Sequence, residues 1–360
     1  MEEIVFHQAE RPNLPAHPFE AFLHEQSEED WAQAIAALLP HIHKVDQNAT
    51  RIWFHFFPLA LARALERAPD PEQLARELLL QGRYRLRDQI DESHYFLYGH
   101  RYWPTIKRAV IEFAERFSTG NAQLSLAEQI REVARRASRD LGVAEALTIG
   151  ITAVAFMTVR QAGLEAVKRA PGTIRLSEWA LRRTPEQVLK ARARDDRQGL
   201  FGFLRTEDKV WTVTFNENDP EAHFKLVHTQ EIAWAAASDK RPWHLRDPRC
   251  VAGEGPIPVQ CRSAACGTCW VGVLGGAEKL SEVGKLERRM MPRFGYIDTD
   301  EPRPIIRLSC QAKAYGAVSI VIPPWNGYFG KLLKGEAADA PKDGAEDSGD
   351  RIIESSNLSS

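Results

Sequence analysis

Cysteine is the residue whose spacing in this chain says most about chemistry. Five cysteines occur among 360 residues, none before Cys250. Three stand in the run Cys261-Arg262-Ser263-Ala264-Ala265-Cys266-Gly267-Thr268-Cys269, which is C-x4-C-x2-C. A fourth, Cys310, ends the apolar run Ile305-Ile306-Arg307-Leu308-Ser309. Four thiolates at this spacing are ligands for a [2Fe–2S] cluster. Three of them on one tight loop can wrap two irons and two sulfides only if little bulk intervenes. Ser263, Ala264, Ala265, Gly267 and Thr268 are small, and Arg262 can point outward. Such a loop lets backbone N–H groups approach sulfur, and those hydrogen bonds help set a reduction potential. The alternative is a structural zinc site, but four-cysteine zinc sites usually pair two short C-x2-C hooks, and this sequence has one. Cys250 matches neither spacing and reads as a free thiol. An odd number of cysteines, all late in the chain, argues against a disulfide scaffold.

The rest of the composition sets limits. With 44% hydrophobic and 27% charged residues the chain has the make-up of an ordinary globular protein. A net charge of −2 lacks the basic excess of a nucleic-acid binder, so no nucleic acid is expected as partner. The start, Met1-Glu2-Glu3-Ile4-Val5-Phe6-His7, lacks the basic and apolar runs of a secretory signal. The uncharged stretch 146–159 falls short of the roughly 18 residues that suggest a membrane span. It reads as a buried core helix, with no membrane span, and the expected location is cytoplasmic.

Residues 1–26 read as an irregular N-terminal arm broken by Pro12, Pro15 and Pro18. Residues 27–194 read as a helical domain. Ser27 with Glu28, Glu29 and Asp30 starts one helix, and Pro71 after Asp70 starts another. Ser125 with Glu128 forms a capping box, and Thr184 with Gln187 repeats it. Ile106, Val110, Phe113, Ala114 and Phe117 have the spacing of one buried helix face, and Pro58 divides or kinks a helix over 52–65. Residues 195–208, with Gly199 and Gly202, form a linker. Beyond it the period turns to alternation, with strands expected at 211–215, 223–227, 270–274, 305–309 and 317–322. Thr229 is expected to cap a short helix, and the tail 335–360 to be disordered.

With these elements in view, residues from about 209 to 323 resemble the plant-type [2Fe–2S] ferredoxin domain. The matching parts are the first strand pair, the helix after Thr229-Gln230-Glu231, the loop from Cys261 to Cys269, Arg307-Leu308-Ser309-Cys310-Gln311 and the last strand. The resemblance implies a β-grasp fold over 209–330. The fold class is then α+β, an all-helical N-terminal domain followed by a β-grasp ferredoxin-like domain and a disordered C-terminal tail. It also implies that Cys261, Cys266, Cys269 and Cys310 hold the [2Fe–2S] cluster. The expected work is one-electron transfer with a protein redox partner, a reductase or an electron-accepting enzyme. Three departures stand out. Ala264 occupies a position that usually carries glycine, so the backbone there is expected to avoid the conformation only glycine tolerates cheaply. The segment 239–260 is longer than the family's link. The gap before Cys310 is extended too, with a surface helix expected over 281–291.

No G-x-G-x-x-G lies between a strand and a helix, so a fused nucleotide-binding reductase is not expected; Gly272-Val273-Leu274-Gly275-Gly276 comes nearest and opens no helix. Eight of the 11 histidines fall in the first 100 residues, among them His41, His43, His55, His94 and His100. They are expected to cap helices and bridge polar groups beside an aromatic core. The other reading makes some of them ligands of a second cofactor, so that the cluster feeds an enzymatic site in the helical domain. A redox sensor is the third reading.

Overall fold

A computed structural model describes residues 17–71, 73–74, 86–118, 123–194, 209–246, 250, 252–291 and 300–322. The linker at 195–208 and the tail at 335–360 lie outside these residues, as does 1–16 of the expected arm. Pro18 does not break structure as expected. It takes the first position of helix α1 (Pro18–Glu25), where its missing N–H would be unpaired anyway, and His17 Nδ1 accepts from the Phe19 amide at 3.3 Å.

The other helix starts follow capping chemistry. Ser27 and Asp30 close a capping box on α2 (Glu28–Leu38), and His43 caps α3 (Lys44–Phe56). Pro58 ends that run and opens α4 (Leu59–Arg67). Asp70 accepts from the Gln73 amide at 2.9 Å. Then come α5 (Trp103–Glu115), α6 (Leu126–Leu141) with the Ser125–Glu128 box, and α7 (Ala146–Ala162). α7 is apolar around its whole circumference because α1, α2, α3, α5 and α6 all pack on it. No helix among the described residues is long and apolar enough to cross a membrane. Three short helices follow: α8 (Leu164–Arg169), α9 (Glu178–Arg182) and α10 (Pro185–Ala193), the last opened by the Thr184–Gln187 box. The basic face of α6 is partly neutralised locally, since Arg131 and Arg135 meet Glu145 and Arg136 meets Glu112.

The C-terminal part is a mixed five-stranded sheet of order β2-β1-β5-β3-β4. Its strands are β1 (Val210–Thr214), β2 (His223–Val227), β3 (Trp270–Gly275), β4 (Ile306–Leu308) and β5 (Val318–Val321). β1 runs parallel to β5, and the other pairings are antiparallel. Helix α11 (Ile232–Ala237) follows β2. Its N-cap is Glu231 rather than the expected Thr229. Thr229 instead takes a left-handed φ of 70° while its amide donates to the Ala314 carbonyl at 2.9 Å. Tertiary pairing with the chain after Cys310 wins over local capping.

The two parts share one apolar core. Phe56 of α3 meets the Trp270 ring edge-on at 4.8 Å, and Asn48 donates to the Leu274 carbonyl at 3.3 Å. Buried Arg192 grips the Glu217 carboxylate at 2.7 and 2.8 Å and reaches the Val45 carbonyl at 2.7 Å. Asp46, buried in α3, accepts from the amides of Tyr98 at 2.6 Å and Gly99 at 2.8 Å. Burial lifts its pKa to about 6, against the pull of those amides and of Arg192.

This sets a pH signature. Folding favours the protonated form of Asp46, so its contribution is complete below the ordinary value of 3.8 and lost as pH rises through about 6. The stability of the wild type relative to Asp46→Asn should therefore fall between pH 4 and 6 and level off above 7. Urea melts of both proteins across that range check it, and a flat difference would remove burial as the cause.

Candidate metal centre

The cysteine loop closes on itself before it meets anything else. Thr268 Oγ1 accepts from the Gln260 amide at 3.1 Å and lies 3.1 Å from Cys266 Sγ. The amides of Ser263, Ala265 and Cys266 donate to Cys261 Sγ at 3.4, 3.2 and 3.3 Å. Three N–H groups converging on one sulfur require a tight coil, and the backbone achieves it with left-handed residues. Arg262, Ala264 and Gly267 have φ of 54°, 60° and 72°.

The expectation for Ala264 is thus overturned. It adopts the glycine-like conformation, with its side chain buried and its amide turned to the sulfur of Cys310. The left-handed geometry is the cost of aiming that donor at the fourth cysteine. Arg262 does point outward, with its guanidinium 4.8 Å from the ring centre of exposed Trp234 on α11.

The four thiols gather as two pairs. Cys261 and Cys266 share a hydrogen bond and are half-buried; Cys269 and Cys310 share another and are buried. Burial pushes Cys261 up, but the amides of Ser263 and Cys266 outweigh it and bring its pKa to about 7. Burial raises its partner Cys266. The hydrogen bond from Cys269 lowers Cys310 to about 6, and the same contact, with burial, holds Cys269 well above the usual thiol range. Cys250 lies apart, its thiol 3.5 Å from the Pro256 carbonyl oxygen.

Cys310 is positioned by residues that cysteine spacing does not reveal. The helix α12 (Lys285–Met290) lies in the extended gap before it. This helix is not simply a surface element. Its Glu287 is buried under β4, where both oxygens meet the Arg307 guanidinium at 2.9 Å and Oε1 also accepts from the Leu308 amide at 2.8 Å. Arg307 is fully buried and donates to the Ser281 carbonyl at 2.8 Å. The Ser309 amide then donates to the Cys269 carbonyl at 3.0 Å, which sets Cys310 beside Cys269. An arginine inside an apolar strand run and a glutamate in an inserted helix were the only sequence signals. Neither is specific without the pairing.

The donor set suits a two-iron cluster. Two thiol pairs, amide donors on sulfur and the buried Ser309 hydroxyl beside Cys269 are the features such a group would use. Among the described residues no group of three or more His, Cys, Asp or Glu side chains is arranged to hold a metal ion; the four thiols stand as two pairs.

Three variants test this construction. Glu287→Ala leaves Arg307 as an uncompensated buried charge, a loss of about 3–5 kcal/mol; urea melts should show it. Ala264→Val places a β-branched residue in left-handed backbone and should cost more than about 2 kcal/mol, whereas Ala264→Gly should stay within about 1 kcal/mol of wild type. Equal stability of the two Ala264 variants would show that the backbone there is not constrained.

Comparison with known proteins agrees with the geometry. Residues 250–315 match a family model described as the 2Fe-2S iron-sulfur cluster binding domain. No curated protein matches the chain, and no solved structure does. The chain therefore carries a [2Fe–2S] cluster binding domain of ferredoxin type, joined to a helical N-terminal region.

Proposed function

We propose that this protein is an iron–sulfur electron carrier in which Cys261, Cys266, Cys269 and Cys310 ligate the cluster. It exchanges single electrons with a separate protein redox partner, a reductase or an electron-accepting enzyme. The observation that carries this reading is the grouping of the four thiols into two hydrogen-bonded pairs, since each iron of a four-cysteine [2Fe–2S] cluster takes two thiolates. When bound, such a cluster supplies one-electron chemistry. The chain's own part is to hold the thiolates, to present the amides of residues 263–266 to sulfur, and to keep water from Cys269 and Cys310. Residues 209–330 act as the cluster-bearing unit and 27–194 as the helical unit. Clustered thiols without disulfides suit a reducing compartment, the cytoplasm.

A second reading, with electrons passing into the helical part, is favoured by a line of ring contacts. Trp270, next to Cys269, meets Phe56 at 4.8 Å; Phe56 meets Phe96 at 5.6 Å, and Phe96 meets Tyr95 at 5.5 Å.

Purified protein should be reddish-brown, contain two irons and two sulfides per chain, and give an EPR signal on reduction. Single serine replacements of Cys261, Cys266, Cys269 or Cys310 should lose or alter that signal, and Cys250→Ser should keep it. A colourless, EPR-silent preparation would sink the carrier reading. A Soret band or metal beyond two irons would favour the second.

A further inference from the structure

The histidine- and aromatic-rich stretch before residue 104 takes no part in the cluster site, yet it forms part of a cavity wall. We propose that this cavity, about 730 Å³ in volume, binds a small molecule bearing a carboxylate or phosphate group, held by Arg87, Arg169 and Arg175 beside the imidazole of His100. The inference deepens the second reading above and rests on it, because Tyr95, which the ring contacts reach, also lines the cavity.

The guanidinium groups argue for an anion. Three acidic residues line the same space, but none is paired with these arginines. Asp91 accepts from Trp103 Nε1 at 2.7 Å and from the Gly172 amide at 2.8 Å; Asp88 and Glu92 have partners of their own. Among the described residues no carboxylate is paired with Arg87, Arg169 or Arg175. The three guanidinium forks are therefore left to a ligand, and their geometry suits carboxylate and phosphate oxygens.

The cavity floor suits the same ligand. His100 Nδ1 lies 2.8 Å from His94 Nδ1 in the interior, so the ring edge it has left for a ligand is Nε2. Burial lowers its pKa to about 4, which makes it a neutral hydrogen-bonding group rather than a fourth cation. Ala166, Ala170 and Ile90 add apolar wall, enough for a short carbon skeleton, and the volume falls in the usual range for small-molecule sites.

Calorimetric titration of the full-length protein with inorganic phosphate, acetate and succinate, at low salt and neutral pH, tests the site. At least one probe should saturate at one site per chain. Arg169 and Arg175 are exposed, so the double variant Arg169→Gln/Arg175→Gln should fold, as its CD spectrum would verify, and bind about tenfold more weakly or worse. Arg135→Gln, away from the cavity, should bind as wild type. No saturable binding by any probe, or undiminished binding in the double variant, would overturn the proposal. The visible spectrum of the same sample separates the two readings. A coloured protein that does not bind rejects this site alone, and a colourless one that binds rejects the cluster alone.

Discussion

Where α3 crosses β3, the two backbones come so close that no side chain fits at residue 272. A Cβ built on Gly272 would lie 2.6 Å from Ile52 Cγ2 and 3.0 Å from Val321 Cγ1. That approach makes the helical region a wall of the cluster domain rather than an appendage. It leaves β3 buried along nearly its whole length, and Trp270 directly follows Cys269. Polar groups at the seam must then be satisfied inside it. Arg192 and Glu217 are a buried pair of the kind that gains little net stability, because desolvation offsets attraction. What the pair does supply is direction: the guanidinium also reaches the Val45 carbonyl, and the carboxylate accepts from Ser319 at 2.6 Å. One ion pair thus ties α10, α3 and β5 in a single relative placement.

The cluster loop depends on that fixed sheet at one remove. Its left-handed residues each cost about 1–2 kcal/mol where glycine is absent. Arg262 and Ala264 bear that cost because amides of the coil then face Cys261, and the amide of Ala264 faces Cys310. The arrangement is only worth its strain if Cys310 is held still. Glu287 and Arg307 do that holding, from an inserted helix and from β4, both closed to water. The insertion that departs from the ferredoxin pattern therefore acts as a brace for the last cysteine.

Much of this was legible in the sequence wherever the governing interaction is local. The boxes at Ser125–Glu128 and Thr184–Gln187 satisfy donors within one helical turn, so four residues suffice to read them. Pro58 divides its helix for reasons held in its own ring. The cysteine spacing is local too, apart from Cys310. The failures share the opposite property. Thr229 looks like a cap, but its amide is taken by Ala314, 85 residues on. Ala264 looks unfit for left-handed backbone until its amide is seen to face a sulfur in the turn after β4. Glu287 is the single acid of a six-residue helix, too short for any periodicity to disclose which side chain is buried. Pro18 departs for a different reason: three prolines suggest a breaker, and only position within the turn distinguishes breaker from starter.

The two thiol pairs differ in surroundings, and this difference bears on the direction of electron flow. Cys261 and Cys266 are half-buried on a loop whose neighbours Ser263 and Ala265 are exposed. Cys269 and Cys310 are 1% and 4% exposed and back onto the aromatic seam. With all four as ligands, one iron would stand near solvent and the other against Trp270. A carrier for a separate protein needs only the first of these. An otherwise aliphatic strand beside Cys269 would bury just as well, so the ring contacts from Trp270 to Tyr95 are more than a carrier requires. They become economical if the inner side of the site has a task, and the cavity lined by Tyr95 and His100 lies where that task would be.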